Sequence, residues 1–389
     1  MRIAVLASAS LLAALTACSN DFPSTAPADA EGAQLSVSEL NARRGNDRGG
    51  NVYVLSNSTT ANAVLVYRRE RDGRLASAGS VPTGGRGTGG GLGNQYGLIL
   101  DDDGETLLGV NAGSDEISAF HVRGGVPRLT DRAASGGNQP ISIAKRNRLV
   151  YVLNDGESAN ITGFFLTERG RLIPIPGSTR PRSAPAGAID GAEIAFSPDG
   201  RSLVVTEKAA NLIVTYPVQF NGRTGEPNVQ RSSGPTPFGF DFAENGTLVV
   251  AEAAGGAVGL SAVSSYDIDR RANLSLATAS VANGQSAVCW ITVSSDGRTA
   301  YAANTGSGTI STFSIARSGA LSLISATAGA TGLGSSPGDM ALSSGDRYLY
   351  VRSNATQSIV IFATGPNGAL TLVDTVSDLP AGTNGIAAR

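Results

Sequence analysis

Residues 197–207 read SPDGRSLVVTE and combine the two features that decide the fold. The first part, residues 197–200, is a turn signal, because glycine accepts the positive φ that a tight hairpin turn requires. The second part, residues 203–207, is a short apolar strand that ends in a polar residue. The stretch therefore predicts a hairpin turn and the strand that leaves it.

The same apolar strand recurs seven times along the chain, at a spacing of about 50 residues. The copies are 52–57 (VYVLSN), 107–111 (LLGVN), 149–154 (LVYVLN), 203–207 (LVVTE), 248–252 (LVVAE), 301–304 (YAAN) and 348–354 (YLYVRSN). Repeats of this length, each built from short strands, are typical of β-propellers, in which one repeat forms one blade.

Two other signals accompany the repeated strand. A second strand with alternating apolar residues follows it, as in residues 309–313 (TISTF), and an Asp-Gly or Asn-Gly turn precedes it in several copies, as at residues 103–104 and 245–246. The three signals keep the same order around the chain. The sequence therefore predicts an all-β fold, a seven-bladed β-propeller of four-stranded antiparallel blades.

The two ends of the repeat region complement each other. The first copy has no innermost strand before it, whereas residues 383–387 (TNGIA) resemble the strand that is missing. We expect the C-terminal strand to join the N-terminal blade, which closes the ring and removes an exposed sheet edge. The propeller is predicted to occupy residues 51–389.

Residues 1–17 are predicted to be a lipoprotein signal peptide. Arg2 precedes an apolar stretch over residues 3–15, and the sequence LTAC that ends at Cys18 reads as a lipobox. The apolar stretch is too short for a membrane anchor, which needs about 20 residues. Cleavage would leave Cys18 as a lipidated N-terminus. The alternative is an ordinary secretory signal that contains a cysteine.

Residues 18–50 are rich in Ala, Pro, Ser, Asp and Gly and predict a flexible spacer between the lipid and the propeller. Such an anchor would hold the protein at the bacterial cell envelope, on the periplasmic or the cell-surface side. Ser19, which follows Cys18, slightly favours the outer membrane over the inner one.

Charge and composition limit the partners. The chain has 30 Lys and Arg residues against 32 Asp and Glu residues, without a dense basic stripe. Nucleic acid is therefore excluded as an expected partner, because phosphate binding depends on concentrated positive charge. We expect a monomer whose partner is a small molecule or an envelope component.

The order of an inner strand, an Asp-Gly turn, a YVxN-type strand and a GxL turn resembles the lactonase family of seven-bladed propellers. Residues 197–203 and 301–311 carry the resemblance, which covers about residues 51–389. The family includes 6-phosphogluconolactonases and carboxy-muconate cyclases, so the resemblance implies hydrolysis of a lactone.

The histidine content departs from one branch of that family. Cyclase-type members would be expected to use histidine and arginine near the channel, yet this chain has a single histidine, His121. His121 lies in a strand predicted to be well away from the axis, where a surface or interblade position is expected. The resemblance therefore gives no support for histidine-based acid–base chemistry.

Two short motifs are chance matches. Residues 85–90 fit G-x-G-x-x-G, but a strand and a hairpin follow instead of the helix that would bind phosphate, so a flexible loop is expected. Residues 334–338 fit G-x-S-x-G, but the nucleophile elbow needs a strand-to-helix turn and a histidine base.

Candidate functional groups occur at one equivalent position of the innermost strands. Blade geometry puts it in a ring near the central channel, close to the loops that lead into these strands. Alignment on the turns assigns to it Gly97, Pro140, Glu193, Gly239, Trp290, Asp339 and Gly385. We expect Glu193 and Asp339 to be the catalytic acidic groups.

Amide and aromatic side chains complete the predicted site. The expected substrate-binding residues are Gln95, Asn138, Gln139, Phe238, Trp290 and Asn384. A carboxylate can orient or deprotonate water for attack on a lactone carbonyl, while amides stabilise the oxyanion. Alternatively, carboxylate and amide oxygens could hold a divalent cation such as Ca²⁺ in the channel, although no residue is assigned as a metal ligand. A third interpretation is that these groups only hydrogen-bond ordered water.

Two functions follow from the sequence. The first is a lactonase-like hydrolase that acts on a small lactone or sugar-acid ester in the cell envelope. The second is a non-catalytic surface propeller that binds a protein, a glycan or another envelope component. The two differ in whether Glu193 and Asp339 converge on one cavity.

Overall fold

A computed structural model describes residues 49–157, 159–183 and 190–389. The predicted signal peptide, the lipidation site Cys18 and nearly all of the predicted spacer lie outside these residues. Within the part of the chain that is described, no helix is both long and apolar enough to cross a membrane.

The chain forms seven antiparallel sheets, arranged as the blades of a propeller. Blade 1 contains β1 (Gly50–Leu55), β2 (Ala63–Arg69) and β3 (Leu75–Pro82). Blade 2 contains β4 (Leu98–Leu100), β5 (Thr106–Asn111), β6 (Glu116–Arg123) and β7 (Val126–Ala134). Blade 3 contains β8 (Pro140–Arg146), β9 (Leu149–Asn154) and β10 (Asn160–Leu166), and two short strands, β11 (Leu172–Pro174) and β12 (Arg180–Pro181), share its outer edge.

The other four blades follow in chain order. Blade 4 contains β13 (Gly191–Phe196), β14 (Ser202–Glu207), β15 (Leu212–Pro217) and β16 (Asn228–Arg231). Blade 5 contains β17 (Pro237–Phe242), β18 (Leu248–Glu252), β19 (Ala262–Ile268) and β20 (Leu274–Ala282). Blade 6 contains β21 (Val288–Val293), β22 (Thr299–Asn304), β23 (Thr309–Ile315) and β24 (Leu321–Ala330). Blade 7 contains β25 (Pro337–Leu342), β26 (Tyr348–Ser353), β27 (Ser358–Thr364) and β28 (Leu370–Val376). Among the described residues, single 3-10 turns occur at Ala254–Gly256 and Pro366–Gly368.

The ring closes between the two ends of the propeller. The last strand, β29 (Asn384–Ala388), pairs with β1 as the innermost strand of blade 1, with Tyr53 opposite Ala387. The sheet order of blade 1 is therefore β29-β1-β2-β3. Both the seven-bladed fold and its closure by the C-terminal strand are confirmed.

The repeated strand that decides the fold is the second strand of each blade. All six residues of β14 are buried, because a middle strand faces a neighbouring blade on either side. The turn before it forms as predicted: Gly200 has a φ of 70° and its N–H donates to the carbonyl oxygen of Ser197 at 2.8 Å. Apolar side chains from adjacent blades meet in continuous clusters. In one of them, the ring of Tyr151 in blade 3 lies 6.0 Å from the ring of Phe196 in blade 4.

The innermost strands carry β-bulges, and the register of their pairing corrects one predicted position. In blade 4, Gly191 pairs with Glu207 and Glu193 pairs with Thr206, so that one residue between them is extra. In blade 3, Pro140 pairs with Asn154, the counterpart of Glu207. The residue of blade 3 equivalent to Glu193 is therefore Ser142, and the assignment of Pro140 to the ring is wrong by two residues, because the hairpin turn between Arg146 and Leu149 is shorter than the corresponding turn of blade 4.

Candidate active site on the propeller axis

The propeller axis is filled by a segment of the chain itself. Residues 92–96, which precede β4, extend from blade 2 across the axis, and we refer to them as the axial plug. We also name the two faces of the propeller: the loop face carries the loops that lead into the innermost strands, and the turn face carries the hairpin turns that leave them. The plug closes the axis on the side of the loop face.

Gln95 is the central side chain of the plug. Its Nε2 donates to the carbonyl oxygens of Ile291 at 2.8 Å and Phe240 at 3.2 Å, and its Oε1 accepts from the N–H of Ile291 at 3.1 Å. Its own N–H donates to the carbonyl oxygen of Ala192 at 3.0 Å. One residue from the loop of blade 2 thus bonds to the innermost strands of blades 4, 5 and 6.

The residues beside Gln95 bond to the remaining blades. Asn94 accepts from Nδ2 of Asn384 in blade 1 at 2.7 Å, and its carbonyl oxygen accepts from Nε1 of Trp290 at 2.8 Å. The N–H of Tyr96 donates to Asp339 of blade 7 at 3.3 Å, and the carbonyl oxygen of Tyr96 accepts from Ile143 N of blade 3 at 3.0 Å. The plug therefore bonds to all six other blades.

Glycine at the ring position makes room for the plug. A Cβ atom on Gly239 would lie 2.1 Å from Oε1 of Gln95 and 2.7 Å from the carbonyl oxygen of Cys289. A Cβ atom on Gly97 would lie 2.1 Å from Oδ1 of Asn384. The small residues that the sequence placed in this ring thus allow the plug and the innermost strands to approach each other closely.

Glu193 and Asp339 both lie at the axis, but each is buried behind the plug. Oε2 of Glu193 accepts from the N–H of Phe240 at 2.6 Å, and its Oε1 has no hydrogen-bond partner. Burial raises the pKa of Glu193 well above its usual value, and repulsion from the charges of Asp241 and Asp339 adds to the rise. Burial also raises the pKa of Asp339 to about 7, although the Arg352 guanidinium opposes the shift.

Asp241 is a third axial carboxyl group, and the sequence interpretation missed it. It lies two residues after Gly239 on β17, so strand alternation turns both residues to the same side. Its oxygens accept from the N–H groups of Val293 at 2.8 Å and Phe242 at 2.7 Å. Burial raises the pKa of Asp241 to about 6, against the effect of these bonds and of one from the Tyr96 phenol. Examining the position two residues farther along each strand would have found it.

A cavity of about 620 Å³ opens on the turn face, below the plug. Asp241 and Tyr96 form its polar floor, and Thr292 also lines it. Burial, followed by the charges of the three axial carboxyl groups, raises the pKa of Tyr96 well above its usual value, so its phenol stays protonated and can donate. Apolar wall residues come from the innermost strands, among them Ile143, Ile194 and Met340. This combination of an apolar wall and few polar groups is typical of a small-molecule site.

An ion pair lies at the wall of the cavity. Nζ of Lys145 is 3.0 Å from Oδ2 of Asp101, and their side chains are only 14% and 8% exposed. Burial alone would raise the pKa of Asp101, but hydrogen bonds from Asp103, Thr106 and Lys145 outweigh it and lower the pKa to about 2. Lys145 therefore presents a cation to the cavity that is fixed in position by a charged partner.

The predicted binding residues divide into two groups. Gln95, Phe238, Trp290 and Asn384 meet at the axis, where the rings of Phe238 and Trp290 pack at 5.1 Å. Asn138 and Gln139 lie apart from them in the loop before β8, where both bond to the carboxylate of Asp115. None of the predicted catalytic or binding residues lines the cavity on the turn face. A space of about 20 Å³ on the loop face, beside Trp290 and Asn384, is large enough for water only.

The single histidine and the G-x-G-x-x-G match belong to the framework of the propeller. His121 lies on β6, the third strand of blade 2, where its Nε2 accepts from Arg123 at 3.0 Å, so it is remote from the axis as expected. The loop over residues 85–90 leads to strand β4 and not to a helix, and Asn57 holds it through a bond to Gly90 at 2.8 Å. In the described residues, no group of three or more His, Cys, Asp or Glu side chains could hold a metal ion, and the Ca²⁺ site stays a prediction.

Comparisons with known proteins agree with this architecture. The family model described as lactonase, 7-bladed beta-propeller, matches residues 97–256 and 260–384. A solved structure from Lactobacillus plantarum has a TM-score of 0.70 at 18% identity, over 87% of this chain and 98% of that chain. No curated protein sequence matches the chain.

Two other solved structures come from proteins that are named for lactone chemistry. A candidate 6-phosphogluconolactonase from Bacteroides uniformis has a TM-score of 0.69 at 18% identity, over 87% of this chain and 99% of that chain. The periplasmic gluconolactonase of Pseudomonas aeruginosa has a TM-score of 0.65 at 16% identity, over 86% of this chain and 98% of that chain. At these identities the likeness shows the common fold alone.

Proposed function

The chain belongs to the lactonase family of seven-bladed β-propellers, and from that premise we propose that it is a lactonase-like hydrolase of a small lactone or sugar-acid ester. The observation that carries the proposal is the cavity of about 620 Å³ with the carboxyl group of Asp241 at its floor. A cavity of this volume is within the range of small-molecule sites.

The proposed reaction adds water across the lactone C–O bond. Asp241, as a carboxylate, accepts a proton from the water that attacks the carbonyl carbon, and the same proton then goes to the ring oxygen when the C–O bond breaks. The pKa of about 6 suits this role, because a general base works best when its pKa is near the operating pH. Lys145 and Thr292, both at the cavity wall, are the groups that stabilise the oxyanion.

Glu193 and Asp339 have a modified role in this proposal. Their side chains lie behind the cavity floor, so they do not contact the substrate. Of the three axial carboxyl groups, only that of Asp241 is placed to contact it. Burial raises the pKa of Glu193 well above its usual value, which favours the protonated form over the carboxylate that a general base needs. The original prediction and the present proposal therefore differ in the result expected for Glu193→Gln. A base at Glu193 predicts loss of turnover, whereas a base at Asp241 predicts that most turnover is kept.

The test is a panel of aldono- and alkyl lactones, assayed with the purified full chain in the presence of Ca²⁺ and of a chelator. We expect Asp241→Asn to lower kcat at least about 100-fold, the usual minimum for loss of a general base. Asp267→Asn, at an exposed position of β19, is the matched control and should keep full activity. The proposal fails if no lactone opens faster than in buffer under either condition.

The second function, a non-catalytic propeller that binds an envelope component, finds support on the loop face. The plug closes the axis there, and three large apolar side chains are exposed on that face: Val258, Leu260 and Leu333. Binding of a purified envelope protein or glycan that saturates, and is lost in Val258→Asp, would favour this function. A lactone that turns over with dependence on Asp241 would favour the first.

We also carry forward the proposal that the chain is exported and lipidated at Cys18. It is supported by the sequence of the first 18 residues. A label from palmitate should appear on the wild-type chain and not on Cys18→Ala, which distinguishes a lipoprotein from a protein with an ordinary secretory signal.

A further inference from the structure

Tyr96 connects the axial plug to the cavity on the turn face. It follows Gln95 in the chain, it lines the cavity of about 620 Å³, and its phenol donates a hydrogen bond to the carboxyl group of Asp241. We propose that Tyr96 is a positioning residue of the axial site, which orients the Asp241 carboxylate so that one of its acceptor directions faces the cavity. The inference rests on the proposed function and gives the plug a part in it.

The backbone of Tyr96 distinguishes blade 2 from the blades that follow it. In each of blades 3 to 7, a residue with positive φ lies three positions before the residue at the ring position: Gln139, Asp190, Thr236, Ala287 and Ser336. In blade 2 the ring position is Gly97, and the positive φ, of 59°, occurs one position before it, at Tyr96. This conformation is an outlier for a bulky residue. The chain of blade 2 therefore turns at a different place, where residue 96 enters the axial site.

Hydrogen bonds to two other blades hold this backbone in place. The N–H of Tyr96 donates to Asp339 of blade 7 at 3.3 Å, and its carbonyl oxygen accepts from the N–H of Ile143 in blade 3 at 3.0 Å. A backbone in a sparsely populated conformation persists only where its surroundings fix it, and such residues cluster at functional sites. The phenol of Tyr96 therefore extends from a fixed backbone, as the side chain of a positioning residue must.

The acceptor capacity of Asp241 defines the role of the phenol. A carboxylate has about four acceptor sites. The N–H groups of Val293 and Phe242 occupy two of them, at 2.8 Å and 2.7 Å, and the phenol of Tyr96 occupies a third. The fourth is left for a water molecule in the cavity that Asp241 lines. Because a base must be held within hydrogen-bond reach of the proton that it accepts, fixing the other three directions sets the direction in which Asp241 acts.

Removal of the phenol should have a specific effect on Asp241. A hydrogen bond to the charged form of a carboxyl group favours that form, so loss of the bond raises the pKa. Phenylalanine at position 96 keeps the aromatic ring and with it the burial of Asp241. The other ionisable groups that face Asp241 across the axis or the cavity are the same in both chains: Glu193, Asp339, Asp101, Asp102, Asp103, Lys145 and Arg146. A change in the titration of Asp241 therefore reports on the phenol.

The experiment follows the protonation of Asp241 by NMR, in the full chain labelled with carbon-13 at the aspartate carboxyl groups. The resonance that disappears in Asp241→Asn belongs to Asp241. In Tyr96→Phe its titration midpoint should rise by about 1–2 pH units, which corresponds to one hydrogen bond to a charged group. Tyr216→Phe is the matched control, because Tyr216 is buried too and its hydroxyl group has no hydrogen-bond partner among the described residues. The control should leave the midpoint unchanged.

The same shift should appear in turnover. With a lactone that the protein opens, the midpoint of kcat/KM against pH should move upward in Tyr96→Phe by the same amount, because this profile reports the pKa of the free enzyme. The limiting rate at high pH should fall less than in Asp241→Asn, since the base itself is still present. A purely structural role of Tyr96 would lower the thermal stability and leave both midpoints where they are.

A second arm keeps every phenol. Incorporation of 3-fluorotyrosine at all tyrosines makes each phenol a stronger donor, so the NMR midpoint of Asp241 should fall, and the same labelling in Tyr96→Phe should not move it. The proposal is overturned if the midpoint is unchanged in Tyr96→Phe or, where thermal unfolding shows that this variant does not fold, in the fluorinated chain. Turnover with unchanged midpoints refutes the role of Tyr96 alone. Absence of turnover with every lactone refutes the proposed hydrolysis, and the NMR titration then tests the contact between Tyr96 and Asp241 separately.

Discussion

Replacing Gln95 with alanine tests the axial plug directly. The change removes two hydrogen bonds that Nε2 donates, to Ile291 and Phe240, and leaves the buried N–H of Ile291 without the acceptor that Oε1 supplies. A buried hydrogen bond contributes about 1 kcal/mol, and an unsatisfied buried group costs about 1–3 kcal/mol. We therefore expect the free energy of unfolding to fall by about 3–5 kcal/mol.

The assay is urea unfolding followed by tryptophan fluorescence. The single tryptophan, Trp290, donates from Nε1 to the plug residue Asn94 at 2.8 Å, so its emission reports on the plug itself. Gln219→Ala, at an exposed glutamine in blade 4, is the matched control and should change the free energy of unfolding by less than about 0.5 kcal/mol. The reasoning is refuted if Gln95→Ala behaves like Gln219→Ala.

Three further predictions concern the axis. Gly239→Ala places a Cβ atom 2.1 Å from Oε1 of Gln95 and should destabilise the fold by about 1–3 kcal/mol, whereas Gly90→Ala, with no atom within 4 Å of the new Cβ, should be neutral in the same urea assay. The rate of lactone opening should rise with pH through about 6 and level off above 7, since Asp241 must lose its proton to act as a base; a flat profile from pH 5 to 8 would exclude it. The free energy of unfolding should decrease as pH rises from about 4 to about 7, because the axial carboxyl groups have raised pKa values and the folded state binds their protons more tightly than the unfolded state does. In Glu193→Gln this decrease should be smaller, and an unchanged pH dependence of unfolding would contradict the raised pKa of Glu193.

The sequence predicts the fold because its signals are local. The turn at Gly200 and the apolar strand after it depend on a few neighbouring residues, and the repeat multiplies that information seven times. Closure by β29 is also predictable, since a missing strand at one end matches a surplus strand at the other. The assignment of Pro140 fails because the hairpin turn after β8 is two residues shorter than the turn after β13, so alignment on the turns shifts the register of β8.

The site is less predictable because it depends on contacts between distant residues. Glu193, Asp339 and Gln95 do meet at the axis, as their register suggested. That Gln95 bonds across the axis to Ile291, however, follows from the path of a glycine-rich loop, which no periodicity encodes. Because the plug fills the axis on the side of the loop face, the open cavity lies on the turn face. Asp241 therefore lines this cavity, whereas Glu193 and Asp339, the predicted carboxyl groups, lie behind its floor.

The most direct test of the axial site is a crystal structure of the protein with a lactone analogue that it does not hydrolyse. Our account predicts electron density for the analogue on the turn face, within hydrogen-bond distance of Asp241 and below an intact plug at Gln95. Density beside Trp290 and Asn384 on the loop face, or an axis open from one face to the other, would contradict it.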